Sequence, residues 1–182
     1  MSPDVAIAYL QETRSRFHAL KEQAERAVAQ VPPDTFFVAL ETEANSIGLL
    51  MKHIGGNLRS RFRDFLTTDG EKGDRHRDRE FEREPSDSVD SVMALWNEGW
   101  AHLSNALAEL TPDDLLSTVR LRGEAHTVLQ ALNRSLVHVA GHVGQIVLLA
   151  KHAAGPSWRT LSIPRGGSEA FLREMLDRHR GR

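Results

Sequence analysis

The chain has 182 residues, 40% of them hydrophobic, and 23 Lys and Arg against 25 Asp and Glu give a formal net charge of -2. That length and apolar content suit one globular domain over residues 1–182, and the balanced charge offers no electrostatic ground for a nucleic-acid or anionic-membrane partner. Cysteine is absent, which excludes disulfides, thiolate ligands and a cysteine nucleophile and leaves histidine and oxygen to hold any metal.

Met1-Ser-Pro-Asp4 leads into a polar, amphipathic segment without an apolar signal core. Ser2 as cap and Pro3 at the first helical position open a first helix, with Tyr9, Phe17, Leu20, Ala24 and Val28 forming a stripe that Val31-Pro32-Pro33 stops. A second helix is expected from Asn45 as cap through Leu49, Leu50, His53, Leu58, Phe62 and Phe65, ending at Thr67-Thr68-Asp69-Gly70. Residues 69–84 are nearly all charged or Gly, with Phe81 the one apolar residue, and read as a long solvated loop. A third helix fits from Ser88 through Trp96 and Trp100 to Leu110, followed by Thr111-Pro112 as cap and start of one short turn. Val119-Arg-Leu-Arg122-Gly alternates like a brief extended piece. Thr127-x-x-Gln130 is a capping box for a fourth helix that runs to Ala154 and stops at Gly155-Pro156. Ser168 is expected to cap a short C-terminal helix carrying Phe171, Leu172, Met175 and Leu176. The class is therefore all-α, a four-helix bundle with a long charged loop between its second and third helices and a short terminal helix. No run reaches the roughly 18 apolar residues of a membrane span, so a soluble cytoplasmic protein is expected.

The chemistry is concentrated in His138-Val-Ala-Gly-His142-Val-Gly-Gln145. Imidazoles four residues apart lie one above the other on a helix face, a spacing that holds two corners of a metal site. Zinc-like catalytic sites commonly use three protein ligands and keep an open position. His53, mid-helix between Met51 and Ile54, is the best third ligand, with His102 in reserve. Gly48, Gly55 and Gly56 on the second helix and Gly141 and Gly144 on the fourth each cost about 1 kcal/mol against Ala. Close approach of those two helices would offset this and bring His53 to His138 and His142. Tight packing without a metal explains the glycines equally well, but it leaves three mid-helix imidazoles in search of buried partners.

Asn57 and Arg61 follow His53 by four and eight residues, share its face, and are candidates to bind the polar or anionic part of a substrate. Gln145, three residues after His142, is a candidate to orient a ligand or touch substrate, and Arg165 sits in a constrained loop that could close over the bundle end. Contact with solvent, helix packing and a structural salt bridge are the competing uses of these side chains. Arg75, Arg77 and Arg79 could attract an anionic cofactor. No general base is evident: Asp64 shares the face of His53 but lies about 16 Å further along the axis. No catalytic residue is assigned.

Five motifs in order, Asn45-Ser-Ile, His53-Ile-Gly-Gly-Asn-Leu-Arg-Ser-Arg61-Phe, Phe65-Leu-Thr-Thr-Asp-Gly-Glu-Lys72, His138-x-x-x-His142-Val-Gly-Gln145 and Trp158-x-x-Leu-Ser-Ile-Pro-Arg165-Gly, resemble the DinB/YfiT-like metalloenzyme superfamily, in a bacterial branch of unassigned function. The resemblance implies a bundle in which His53, His138 and His142 bind a divalent metal. It also implies thiol transfer, with bacillithiol, mycothiol or glutathione, or a maleylpyruvate isomerase activity among relatives, and a dimeric state. Two function classes follow. One is a metal-dependent thiol S-transferase or hydrolase, with zinc, nickel, iron or manganese, a low-molecular-weight thiol as possible cofactor, and an open position for water or thiol. The other is a non-catalytic metal or small-molecule binding module in stress response. A small-molecule substrate and a homodimer are the expected partners.

Overall fold

A computed structural model describes residues 2–180. Four long helices, α1 (Pro3–Val28), α2 (Ile47–Phe62), α3 (Val89–Glu109) and α4 (Val128–Ala154), make up an all-α fold with one short hairpin, β1 (Thr118–Leu121) and β2 (Glu124–Thr127), and a terminal helix α5 (Ser168–His179). Helix α2 packs along α3, α1 along α4, and α2 also meets α4. No helix among the described residues is long and apolar enough to cross a membrane.

Local chemistry sets the boundaries. Ser2 accepts from the Val5 amide and Pro3 occupies the first turn of α1. Ser88 with Ser91, and Thr127 with Gln130, close reciprocal capping boxes on α3 and α4. The α2 cap is Ser46, which accepts from the Leu49 amide, rather than the expected Asn45. Helix α2 also stops at Phe62 instead of Phe65, because Arg63 is extended and Asp64 takes a left-handed φ of 51°. Phe65 then folds back onto Phe62, with ring centroids 5.0 Å apart. On α5, Gly167 is the cap and Ser168 the first helical residue, so the hydroxyl expected to cap it lies inside the helix. The extended piece near Val119 is half of a hairpin, which turns at Arg122 and Gly123 through φ values of 57° and 79°.

Trp96 is fully buried, its indole N–H donating to Glu25 Oε1 at 3.0 Å, and Trp100 meets Phe17 edge-on at 6.3 Å. Both belong to the bundle interior together with Leu10, Leu50, Ile54, Leu58, Leu103, Leu132 and Ile146. The glycines work differently from the expectation. A Cβ at Gly55 would stand 2.8 Å from the Leu95 carbonyl oxygen, and one at Gly99 would strike the Gly55 carbonyl, so the close approach is between α2 and α3. Gly48 faces Phe36 and Phe37, while Gly141 and Gly144 have nothing within 4 Å.

Helix α2 is covered on nearly every side, polar residues included. Part of the reason is the charged segment 69–84, a loop whose outer residues are exposed as expected but which buries Gly70 and Glu80. Its short 3-10 helix, Arg77–Phe81, lies against α2. Lys52 Nζ donates to Asp87 Oδ2 at 2.7 Å and to the Glu82 carbonyl at 3.0 Å. Ser60 donates to the Gly70 carbonyl and accepts from the Lys72 amide. Asp69 accepts backbone N–H groups from Glu71, Arg122 and Gly123, which ties the loop to the hairpin and, with the Glu71 bond foremost and the donors together outweighing burial, holds its carboxyl below the usual range.

Candidate metal centre

Helix α2 presents His53 from a fully packed position, 3% exposed, while α4 presents His138 and His142 one turn apart and only partly buried. One ring nitrogen from each lies within 4.8 Å of the others. His53 Nδ1 is 2.8 Å from Glu80 Oε2, and an ionised carboxylate can only accept, so the proton sits on Nδ1 and the Nε2 lone pair is free. That Nε2 is 3.1 Å from His138 Nε2. His142 Nδ1 lies 2.7 Å from Gln145 Oε1, another acceptor, which again leaves Nε2 for a ligand role.

These residues fit a divalent ion. Nitrogen ligands about 2.05 Å from a tetrahedral centre stand roughly 3.3 Å apart, close to the His53–His138 spacing. Two of the three imidazoles also have an acceptor on the opposite nitrogen, the usual device for fixing tautomer and ring direction in a metal ligand. His102 stays on α3 beside Glu98 and takes no part.

The partner of His53 was not evident from sequence. Glu80 is 6% exposed within the charged loop, and Arg75 grips both its oxygens, Nε to Oε1 and Nη2 to Oε2, each at 2.8 Å. Burial by itself pushes the Glu80 carboxyl up, but the bonds from Arg75 and His53 outweigh it and hold the group below its ordinary value. Phe81 packs on the His53 ring with centroids 4.4 Å apart, and the Arg77 guanidinium stands over the Phe81 ring, 5.0 Å from its centroid. The one signal for this in the sequence is Phe81 itself, a lone apolar residue in a charged run.

Residues 4–167 match the model of a family described as "Protein of unknown function (DUF1572)". The chain belongs to the DUF1572 family. No curated protein and no solved structure matches it.

In this DUF1572 member the three imidazoles open onto a cavity of about 350 Å³ that Asn57, Arg61, Arg134, Ser135 and Leu121 also line. Asn57 and Arg61 thus stand where the helical repeat expects them, both buried. Arg134 and Ser135, four and three residues before His138, were within reach of the same arithmetic. Gln145 supports His142 and does not line this cavity. Arg165 is exposed in the loop before α5 and is not brought to the centre.

Burial, then the neighbouring His142 and His53 rings, then Arg75 and Arg61, depress His138 to about 4. Burial also lowers His142, against a smaller opposing effect of its bond to Gln145. A histidine depressed in the fold binds fewer protons than in the unfolded chain. The metal-free protein should therefore lose stability as pH falls from 6.5 toward about 4. Imidazole NMR of chelator-treated protein is expected to keep the His138 ring neutral from about pH 8 down to about pH 5; a midpoint near 6.5 would show that the ring is not crowded as described.

Proposed function

We propose that this protein is a divalent-metal-binding member of the DinB/YfiT-like superfamily and acts as a metal-dependent thiol S-transferase or hydrolase, with His53, His138 and His142 as ligands. The observation that carries this reading is the convergence of three imidazoles, two of them oriented from behind, on the floor of an open cavity. When bound, zinc, nickel, iron or manganese would supply Lewis acidity to a water or thiol in the open position. The residues around it hold and orient. Glu80 fixes the His53 tautomer, Gln145 fixes that of His142, and Phe81 shields the His53 ring from water.

Thiol transfer is favoured over hydrolysis because no carboxylate lines the cavity among the described residues and Glu80 is fully engaged by Arg75 and His53. A thiol acidified at the open position needs no separate base, whereas amide hydrolysis needs a group to protonate the leaving amine. The same lack of an unengaged acid or base supports the second reading, a non-catalytic binding module in stress response. Val137 at 73% and Leu148 at 66% exposure flank Gly141 and Gly144 on the outer side of α4, which supports a homodimer with this side as its contact.

The test is turnover of low-molecular-weight thiols with small electrophiles, followed by esters and amides, by protein loaded with each of the four metals. Expected is thiol consumption that stops on chelation and returns on reloading. A loaded protein inert to every pair favours the binding module.

A further inference from the structure

Five arginines line the cavity around the three imidazoles: Arg61 from α2, Arg75 and Arg77 from the charged loop, Arg122 from the hairpin turn and Arg134 from α4. No carboxylate among the described residues lines it. From these we infer that the site takes a substrate or thiol cofactor bearing an anionic group, a carboxylate or a phosphoryl group, and that these arginines beside the metal centre are its receptor. The inference rests on the metal-centre reading for the position of the reacting end, but not for the arginine site itself.

The pairing of these guanidinium groups is incomplete. Arg75 is satisfied by Glu80. A single Glu71 oxygen is shared among Arg122 at 2.9 Å, Arg61 at 3.4 Å and Arg75 at 3.5 Å. Arg77 has only its exposed neighbour Asp78, at 3.6 Å, and Arg134 makes no ion pair or hydrogen bond among the described residues. Three carboxylates thus serve four of the five guanidinium groups, and Asp69, the next acidic group, directs its oxygens to backbone amides.

Arg61 shows the shortfall most clearly. It is 7% exposed, its Nη1 is buried without a hydrogen-bond partner, and its other contact is the long one to Glu71. A guanidinium in this position is expensive to bury unless countercharge arrives. Asn57, one turn from His53 and one from Arg61, adds a neutral donor between the two ends. The helical rise puts Arg134 and Arg61 roughly 6 and 12 Å along their axes from His138 and His53. A small molecule anchored on the arginines by its anionic end can therefore reach the imidazoles with its other end.

The experiment is calorimetric titration with inorganic phosphate and with succinate, at constant ionic strength, of zinc-loaded wild type, metal-free His138→Ala, Arg134→Gln and Arg61→Met. Saturable binding of one anion per chain is expected in wild type and in His138→Ala alike, weakened roughly tenfold or more by Arg134→Gln. Arg134 is exposed, so its variant should fold even if Arg61→Met does not. Tighter succinate binding identifies a carboxylate ligand, and tighter phosphate binding a phosphoryl one. Binding that vanishes in His138→Ala but is unchanged in Arg134→Gln places the anion on the metal alone and overturns the inference, as does the absence of saturable binding. Failure of His138→Ala to lose zinc would instead count against the metal centre.

Discussion

Replacing His138 with alanine is expected to lower zinc affinity by more than the roughly 10–100-fold that loss of an orienting partner costs. The imidazole is one of three nitrogen donors, and its Nε2 lies 3.1 Å from that of His53, so its removal leaves two ligands and a gap beside the one fully packed ring. Glu80→Gln should fall within the 10–100-fold range, since it keeps the shape beside His53 but loses the charge that holds the Nδ1 proton. The ordering matters: a larger loss from Glu80→Gln than from His138→Ala would mean that the buried ion pair with Arg75, and not the tripod, holds the ion. Both variants need melting curves without metal. Because His138 is half-buried and crowded by cationic neighbours, its alanine variant should melt within about 4 °C of the metal-free parent.

Gly99→Ala and Gly141→Ala are expected to move stability in opposite directions. A methyl at Gly99 drives into the backbone of Gly55, which cannot yield without separating α3 from α2, and a loss of about 3 kcal/mol or more is expected. At Gly141 a methyl meets nothing within 4 Å on an exposed helical face, and the gain in helix propensity should approach about 1 kcal/mol. Denaturant midpoints of the two single variants measure this directly. Equal effects would refute the α2–α3 contact as drawn. Gly141→Ala becoming strongly destabilising would instead show that an atom stands against Gly141 itself, closer than a dimer contact through Val137 and Leu148 needs to come.

These glycines also show what could be read before the fold was known. Five glycines in two helices point to an unusual packing demand, and that inference holds for Gly55 on α2, but composition cannot say which helix approaches. The close contact is made with α3, where Gly99 supplies the matching space, while Gly141 and Gly144 face outward. His138 and His142 were legible from their four-residue spacing, and His53 from its apolar neighbours Met51 and Ile54, the glycines around it and the family resemblance. Asn57 and Arg61 followed from the same repeat. Glu80 and Arg75 were not legible: a charged run reads as solvated unless its charges have reciprocal partners, and those partners lie on α2. Gln145 was placed in the correct neighbourhood, and its contact proves to be with the imidazole of His142. Arg165 gave no such positional information, since loop residues have no periodicity to fix them.

The most direct measurement is X-ray absorption at the zinc edge, on protein purified without a metal-affinity tag, loaded with one equivalent of zinc and desalted. Three imidazole nitrogens at about 2.0–2.1 Å with one oxygen or sulfur neighbour completing the shell are expected, falling to two nitrogens or no retained zinc in His138→Ala. A wild-type protein that loses its zinc on desalting, or a spectrum without imidazole scattering, would contradict the three-histidine centre.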